Sequence, residues 1–487
     1  MRQGGVLLHI TSLPSRGGIG TLGAEAYAFV DFLRKSGMRI WQVLPVGPTG
    51  YGESPYQSAS SFAGNPLLID IPSLAEEGLL APEEAASMPQ PENPERVDFD
   101  VVRSAKDALL RKAYSRFSGS LDAFRKENPW VEDYAMFAAL KRHFHGVSWM
   151  AWPDESVRMR DGAALARYGA LLRQEIEYEI FVQMLFRRQW TALKKYANEQ
   201  GIRIFGDMPI YSAEDSCDVW THPDCFQLDA RLHPVRVAGV PPDYFSEDGQ
   251  LWGNPLYDWK TLKARKYDWW VERMRAMAEL FDMVRIDHFI GFAHYYSIPA
   301  GAPNAREGCW MRGPGKALFR VLREKAPQVR IVAEDLGCLT GKVIRLRNAC
   351  GYPGMKVLEF CFGGKDNPLS PKNMRRNCVA YTGTHDNDTV VGWWRELDEN
   401  TRANVQRILH VAEDGIAQAM VRAAFSSPAD TAIAPMQDIL SLDDARMNVP
   451  GTIGGNWLWR MQPGACTEEL AKRLRKMNHE TGREALV

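Results

Sequence analysis

The stretch Met283-Val284-Arg285-Ile286-Asp287-His288-Phe289 reads as a short buried strand that delivers one acid where the strand runs out. Two other stretches repeat the design: RIVAEDLG (330–337), which ends in Glu334, and AYTGTHDND (380–388), which carries Asp386. An acid placed directly after an apolar, β-branched run loses hydration on folding, and a chain tolerates that where the carboxylate is used. Carboxylates that meet at the C-terminal ends of different parallel strands are the arrangement a (β/α)8 barrel uses to break a glycosidic bond.

Working outward, further strand-like runs lie at Gly5–Thr11, Arg39–Val46, Ile202–Pro209, Val329–Glu334, Met355–Phe360, Cys378–Thr382 and Thr431–Ile439. With Met283–His288 they make eight. Near-continuous apolar strands separated by helical stretches indicate a parallel sheet covered by helices, and eight of them predict an α/β fold of the TIM-barrel type. Helical spacing is visible over Ala24–Ser36, where Ala26, Phe29, Val30 and Leu33 share one face before Gly37. It is visible again over Tyr267–Leu280 and over Thr467–Met477.

The interval between the second and third strands is too long for a simple crossover, and patterns such as Val131–Phe144 and Ala163–Tyr196 make it helical. The predicted organisation is a first part of the barrel over residues 1–72 and an inserted, mostly helical subdomain over 73–200. The barrel then continues over 201–487, with loop insertions at about 212–260 and 440–460.

Bulk properties narrow the partners. The 487 residues carry 59 basic and 60 acidic side chains, a formal net charge of -1. Without a basic block, neither nucleic acid nor an anionic membrane surface is an expected partner. The eight cysteines are scattered without a C-x-x-C pair, as in a reduced, cytoplasmic protein. The N-terminal apolar run is too short for a signal peptide, and no apolar stretch is long enough to span a bilayer.

Competing motifs fall away. Gly18-Ile19-Gly20-Thr21-Leu22-Gly23 matches the dinucleotide pattern G-x-G-x-x-G, but the following strand, RIWQVLPVGP (39–48), ends in no ribose-binding acid. His143 and His145 are two apart on a predicted helix and diverge, and His222 and His233 lack a matched ligand set. Neither a cofactor nor a metal is expected. No G-x-S-x-G or G-x-x-x-x-G-K-[ST] motif occurs.

Arg285 and Asp287 stand two apart on one strand and share a side, so the guanidinium should hold the carboxylate ionised. Glu334, with acidic neighbours and partial burial, should have a raised pKa suited to a general acid. Asp386, beside His385, could grip sugar hydroxyls and stabilise an oxocarbenium-like transition state, and Asp207 in FGDMPIY (205–211) is a fourth acid at a strand end. Tyr51, Tyr56, Tyr244, Phe245, Trp252, Trp393, Trp394, Trp457 and Trp459 fall in Gly-, Pro- or Asn-rich stretches. There they could stack on sugar rings instead of filling a core.

Together with HITSLPS (9–15), ESPYQ (53–57), FAGNPLLID (62–70), the long segment 239–259 and NVPGTIGGNWLWR (448–460), these motifs resemble those of the amylomaltases. That family comprises the 4-α-glucanotransferases of glycoside hydrolase family 77, and the resemblance runs through essentially the whole chain. It implies retaining transfer of α-1,4-glucan segments from a donor malto-oligosaccharide to the 4-hydroxyl of glucose or another glucan. Asp287 would be the nucleophile, Glu334 the acid/base and Asp386 the transition-state stabiliser. Arg285, His385 and Asp207 would line the subsite of the reacting glucose. Ser54, Tyr56, Trp252 and Asn254 would line the groove or its covering loop, and the Asn448–Trp457 loop, with Asn456, would overhang the acceptor side. Two residues depart from the family pattern: Thr21, which could still cap the helix that follows, and Cys217. The alternatives left open are an α-amylase-type hydrolase with the same carboxylates, a glucan-binding barrel without activity and a cofactor-dependent barrel enzyme.

Overall fold

A computed structural model describes residues 2–242, 247–326, 329–337, 339–363, 371–412 and 415–484, apart from the side chains of Tyr51 and Lys372. Tyr244, Phe245, Cys338 and the side chain of Tyr51 therefore lie outside the described residues.

The strands, in chain order, are β1 (Gln3–Leu7), β2 (Ile40–Gln42), β3 (Arg203–Met208), β4 (Arg236–Val240), β5 (Gln250–Pro255) and β6 (Met283–Ile286). They continue with β7 (His294–Pro299), β8 (Cys309–Arg312), β9 (Arg330–Ala333), β10 (Gly354–Val357), β11 (Cys378–Tyr381) and β12 (Thr431–Pro435). Eight close into a barrel in the order β1-β12-β11-β10-β9-β6-β3-β2, every neighbouring pair parallel. These are the eight expected strands, and the fold is the expected (β/α)8 barrel. Both faces of each strand are covered, which is why the runs are apolar throughout and not alternating.

Close packing at the wall shows at Gly206 on β3. A Cβ added there would stand 2.3 Å from the ring of Phe281, which follows the helix Asp268–Leu280. Any larger residue at 206 would push that helix off the barrel.

The strands are shorter than the apolar runs that announced them. β1 gives way to a single 3₁₀ turn, Ile10–Ser12, β10 to Leu358–Cys361 and β12 to the helical turn Met436–Ile439. Ile10, Leu358, Met436 and Ile439 all stay buried. Hydrophobicity outlasts the ladder because the loops over the C-terminal face cover these residues in turn.

The pattern over Ala163–Tyr196 divides at Leu172 into Gly162–Leu171 and the 27-residue helix Arg173–Glu199. The first half of that long helix joins Phe99–Arg116 and Trp130–His143 through a network in which Glu175 binds Arg111 and Glu179 binds Arg142. Its second half lies against β3, with Trp190 Nε1 donating to the carbonyl of Leu280 at 2.9 Å. Thr21 does not cap Ala24–Lys35, whose N-cap is Gly23. Its hydroxyl donates instead to Asp70 (2.7 Å), and Asp70 caps Ile71–Glu76 by accepting from the Ser73 N–H.

The small antiparallel sheet β5-β4-β7-β8 was not expected. It is built from the segments that follow β3 and β6. Its β8 is exposed at all four positions and β5 begins exposed, so neither carries the apolar signature that revealed the barrel. Among the described residues, no helix is long and apolar enough to cross a membrane.

Candidate active site

The chemistry-bearing side chains gather at the C-terminal ends of β3, β6, β9 and β11. On β6, Arg285 is almost wholly buried, at 4% exposure. Its Nη1 lies 2.8 Å from both carboxylate oxygens of Asp207 on β3, and its Nη2 lies 2.9 Å from Oδ1 of Asp287. The two strands are paired in register at Asp207 and Arg285, so the sheet itself aligns the acid with the base. Burial works against the Arg285 cation, but Asp207 and Asp287 outweigh it and hold the guanidinium protonated.

After Asp287 the chain reverses. His288 takes a left-handed backbone conformation (φ 48°), uncommon for a residue with a side chain and concentrated at functional sites. Its N–H donates to Oε2 of Glu334 at 2.8 Å, while the Leu336 N–H donates to Oε1 at 2.7 Å. These two bonds fix the Glu334 carboxyl beside the β6 end. Burial, aided by the charge of Asp287, raises its pKa to about 7, against the opposing pull of Arg285 and the two N–H groups. Burial also lowers the His288 pKa to about 4, leaving that ring neutral.

Asp386 follows β11. Its carboxylate is part-exposed, with Nε2 of His385 3.3 Å from Oδ2. The His385 ring stacks on Tyr56, centroids 5.0 Å apart and planes 14° apart, and the Trp457 ring stands about 6 Å from both. Tyr56 closes the circuit by donating its hydroxyl to Oδ2 of Asp207 at 2.9 Å. Burial first, and Asp207 next, raise the Tyr56 pKa well above its ordinary value, so the hydroxyl keeps the proton it donates.

The other expected site residues have these partners. The Asp207 side chain is fully buried and is spent on Arg285 and Tyr56, not on the open face of the site. Asn254 is buried, its Nδ2 donating to the carbonyl of Ser212 at 3.0 Å. Asn456 is buried too and braces its own loop, accepting from the Val449 N–H and donating to Thr452. Ser54 Oγ accepts from the Tyr56 N–H at 3.3 Å. Trp252 meets the neutral His288 ring edge-on, centroids 4.8 Å apart. Of the aromatics read as loop residues, Trp393 and Trp394 belong to the helix Val390–Glu396. Trp394, Trp457 and Trp459 are buried, Trp394 because two adjacent tryptophans on a short helix place at least one ring inward.

Two further polar residues hold Asp386. Asn448 Nδ2 donates to Oδ1 of Asp386 at 2.7 Å, and Arg446 donates from Nη2 to the Asp386 carbonyl and from Nε to the Asn448 carbonyl. Asparagine and arginine in a polar loop look like any solvated surface. The expectation that the Asn448–Trp457 loop overhangs the site pointed toward Asn448, and nothing pointed toward Arg446. Among the described residues, no group of three or more His, Cys, Asp or Glu side chains is arranged to hold a metal ion.

A parallel eight-stranded barrel with acids and an arginine gathered at its strand ends belongs with the barrel enzymes that act on glycosidic bonds. Comparison with known proteins narrows this. A family profile described as 4-alpha-glucanotransferase matches residues 8–467. The chain is 44% identical to a 4-alpha-glucanotransferase of Clostridium butyricum, over 98% of this chain and 100% of that one. It is 46% identical to the Thermus thermophilus enzyme of the same name, over 99% of each. Its structure matches an amylomaltase from Streptococcus agalactiae in complex with acarbose, with a TM-score of 0.97 and 40% identity over 100% of both chains. An amylomaltase from Corynebacterium glutamicum, 17% identical with a TM-score of 0.79 over 99% of this chain and 75% of that one, shares the fold. The chain belongs to the 4-alpha-glucanotransferase family, enzymes that move α-1,4-glucan segments from one chain to another.

Proposed function

We propose that the transfer is a double displacement in which Asp287 is the nucleophile, Glu334 the acid/base and Asp386 the stabiliser of the oxocarbenium-like transition state. The donor is a malto-oligosaccharide or longer α-1,4-glucan, and the acceptor is glucose or another glucan. A cytoplasmic location suits these substrates and the scattered cysteines.

In the first step an Asp287 oxygen attacks the anomeric carbon. The bond to the 4-oxygen of the departing sugar breaks, and that oxygen takes the proton held on Glu334. The product is a β-glucosyl ester on Asp287, with Glu334 now ionised. In the second step Glu334 removes the proton from an incoming 4-hydroxyl, whose oxygen displaces Asp287. Glu334 is then protonated again, and the α configuration is retained.

The observation that carries this assignment is the contrast between the two carboxyls. Asp287 is ion-paired to Arg285 at 2.9 Å, which holds its carboxylate in one orientation at the end of β6. Glu334 is buried and pushed up to about 7, which keeps a proton available near neutral pH. Two acids in such different surroundings can divide the roles between them.

Asp386 is the most exposed of the three carboxylates, oriented by His385 and Asn448. Arg285 and Asp207 then act beneath the sugar, fixing the nucleophile. The Tyr56–His385–Trp457 aromatic group offers a wall for the reacting glucose. The complex of the Streptococcus agalactiae amylomaltase with acarbose supports an oligosaccharide ligand for this site.

Incubation with maltotriose tests the reaction type. Transfer yields free glucose together with oligosaccharides longer than maltotriose. Products no longer than the substrate would make the protein a hydrolase and refute the proposal.

A further inference from the structure

The turn from β11 to the helix Val390–Glu396 runs Thr382-Gly383-Thr384-His385-Asp386-Asn387-Asp388-Thr389, and it is held from beneath. Asp438, beyond β12, pins both ends by accepting from the Thr382 hydroxyl and from the Val390 N–H. The middle is organised by Asn387, whose Oδ1 accepts from the Thr384 N–H (3.0 Å) and hydroxyl (2.9 Å). Asn387 in turn donates from Nδ2 to Oε2 of Glu359 at 2.8 Å. Glu359 lies on the turn Leu358–Cys361 immediately after β10, and its backbone N–H reaches the Thr382 carbonyl at 3.4 Å. The residue is 8% exposed, and its second oxygen, Oε1, is buried without a hydrogen-bond partner among the described residues. A Cβ on Gly383 would stand 2.7 Å from that oxygen, so glycine is what lets the turn settle onto the carboxyl.

We infer that Glu359 is a positioning residue for glucan transfer. Through Asn387 on one oxygen and Gly383 against the other, it holds the His385–Asp386 turn so that the Asp386 carboxylate faces the reacting sugar. The inference rests on the proposed role of Asp386.

The surroundings of Glu359 decide its charge. Asp438 faces it from the segment after β12, Asp388 and Asn387 from the turn itself and Arg446 from the loop beyond. Burial above all, then the charges of Asp438 and Asp388, hold the carboxyl well above the usual carboxylate range, and Asn387 and Arg446 only partly oppose them. A neutral acid in this place has an O–H with no partner of its own. What the turn uses is the shape of the planar group and its acceptor oxygen toward Asn387, both of which a glutamine supplies.

The test compares Glu359→Leu with Glu359→Gln in the full-length enzyme, with maltotriose as substrate and Asp386→Asn in parallel. Displacement of the turn by a fraction of an ångström should lower kcat of the leucine variant about 10- to 100-fold with KM changed by less than about threefold. The glutamine variant should recover kcat to within about threefold of the wild type from pH 5.5 to 8. If Glu359→Leu does not fold, as judged by circular dichroism, Asn387→Ala removes the same tether and should show the same kcat loss. A leucine or alanine variant with wild-type kcat overturns the inference, as does a glutamine variant as slow as the leucine one. Activity in Asp386→Asn would instead indict the role of Asp386 itself.

Discussion

Arg285 on β6 and Asp207 on β3 form a buried ion pair in which the single nitrogen Nη1 lies 2.8 Å from each carboxylate oxygen. The remaining face of the guanidinium is what Asp287 uses, at 2.9 Å. Two neighbouring strands thus build a rigid cationic seat on which the nucleophile rests. Such a seat is costly to disturb, because removing one member leaves the other buried and uncompensated.

Replacing Asp207 by alanine should therefore cost about 3–5 kcal/mol of stability, as expected for breaking a buried ion pair from one side. Urea unfolding of the two proteins measures it. A loss below about 1 kcal/mol, the range of an exposed pair, would mean that the pair is solvated and the seat loose.

The pH dependence follows from Glu334, whose folded pKa lies above its unfolded value and must be protonated for the first step. With the carboxyl near 7, kcat/KM should be flat below that pH and fall about tenfold per unit above it. The linked stability has the same sign, since the folded state holds the proton between about 4.5 and 7 and that contribution is lost as pH rises through the window. An α-glucosyl fluoride donor, whose leaving group needs no proton, should show no such alkaline limb in the glycosylation step. If the limb persists with the fluoride, it belongs to another group.

Tyr56 donates to Asp207 while its ring stacks on His385. Tyr56→Phe keeps the stack and removes the bond, which should cost about 1–3 kcal/mol because the acceptor is charged and buried. A double-mutant cycle with Asp207→Asn isolates the coupling. Additive effects would show that the hydroxyl contributes nothing to holding Asp207.

Asn448 is the direct partner of the Asp386 carboxylate. Its replacement by alanine should lower kcat/KM by roughly tenfold, the scale of one hydrogen bond to a charged group, while the fold melts as before. Unchanged kinetics would assign Asn448 to the loop alone.

The barrel was legible because its signal is local. Apolar, β-branched runs announce strands covered on both faces, and an acid directly after such a run announces a strand end at the site. The spacing of Arg285 and Asp287 placed both on one side of β6, and their ion pair realises it. What escaped is which polar groups, far apart in the chain, pair with one another. Asn448 lies 62 residues from Asp386, and Tyr56 151 residues from Asp207. Neither stands in a periodic pattern, so only closure of the barrel brings each to its partner. Glu359 escaped for a related reason, since an acid inside an apolar run is visible but its contact with Gly383 is not. The β5-β4-β7-β8 sheet was missed because its exposed strands lack the apolar continuity of the barrel wall.

Trapping the intermediate tests the double displacement most directly. Glu334→Gln, incubated with α-maltotriosyl fluoride and no acceptor, can form the ester but lacks the base that resolves it. Mass spectrometry of a proteolytic digest should then find one maltotriosyl unit on the peptide that contains Asp287. A unit attached to Asp386 or Asp207, or no adduct while fluoride is still released, would contradict the assignment of Asp287 as nucleophile.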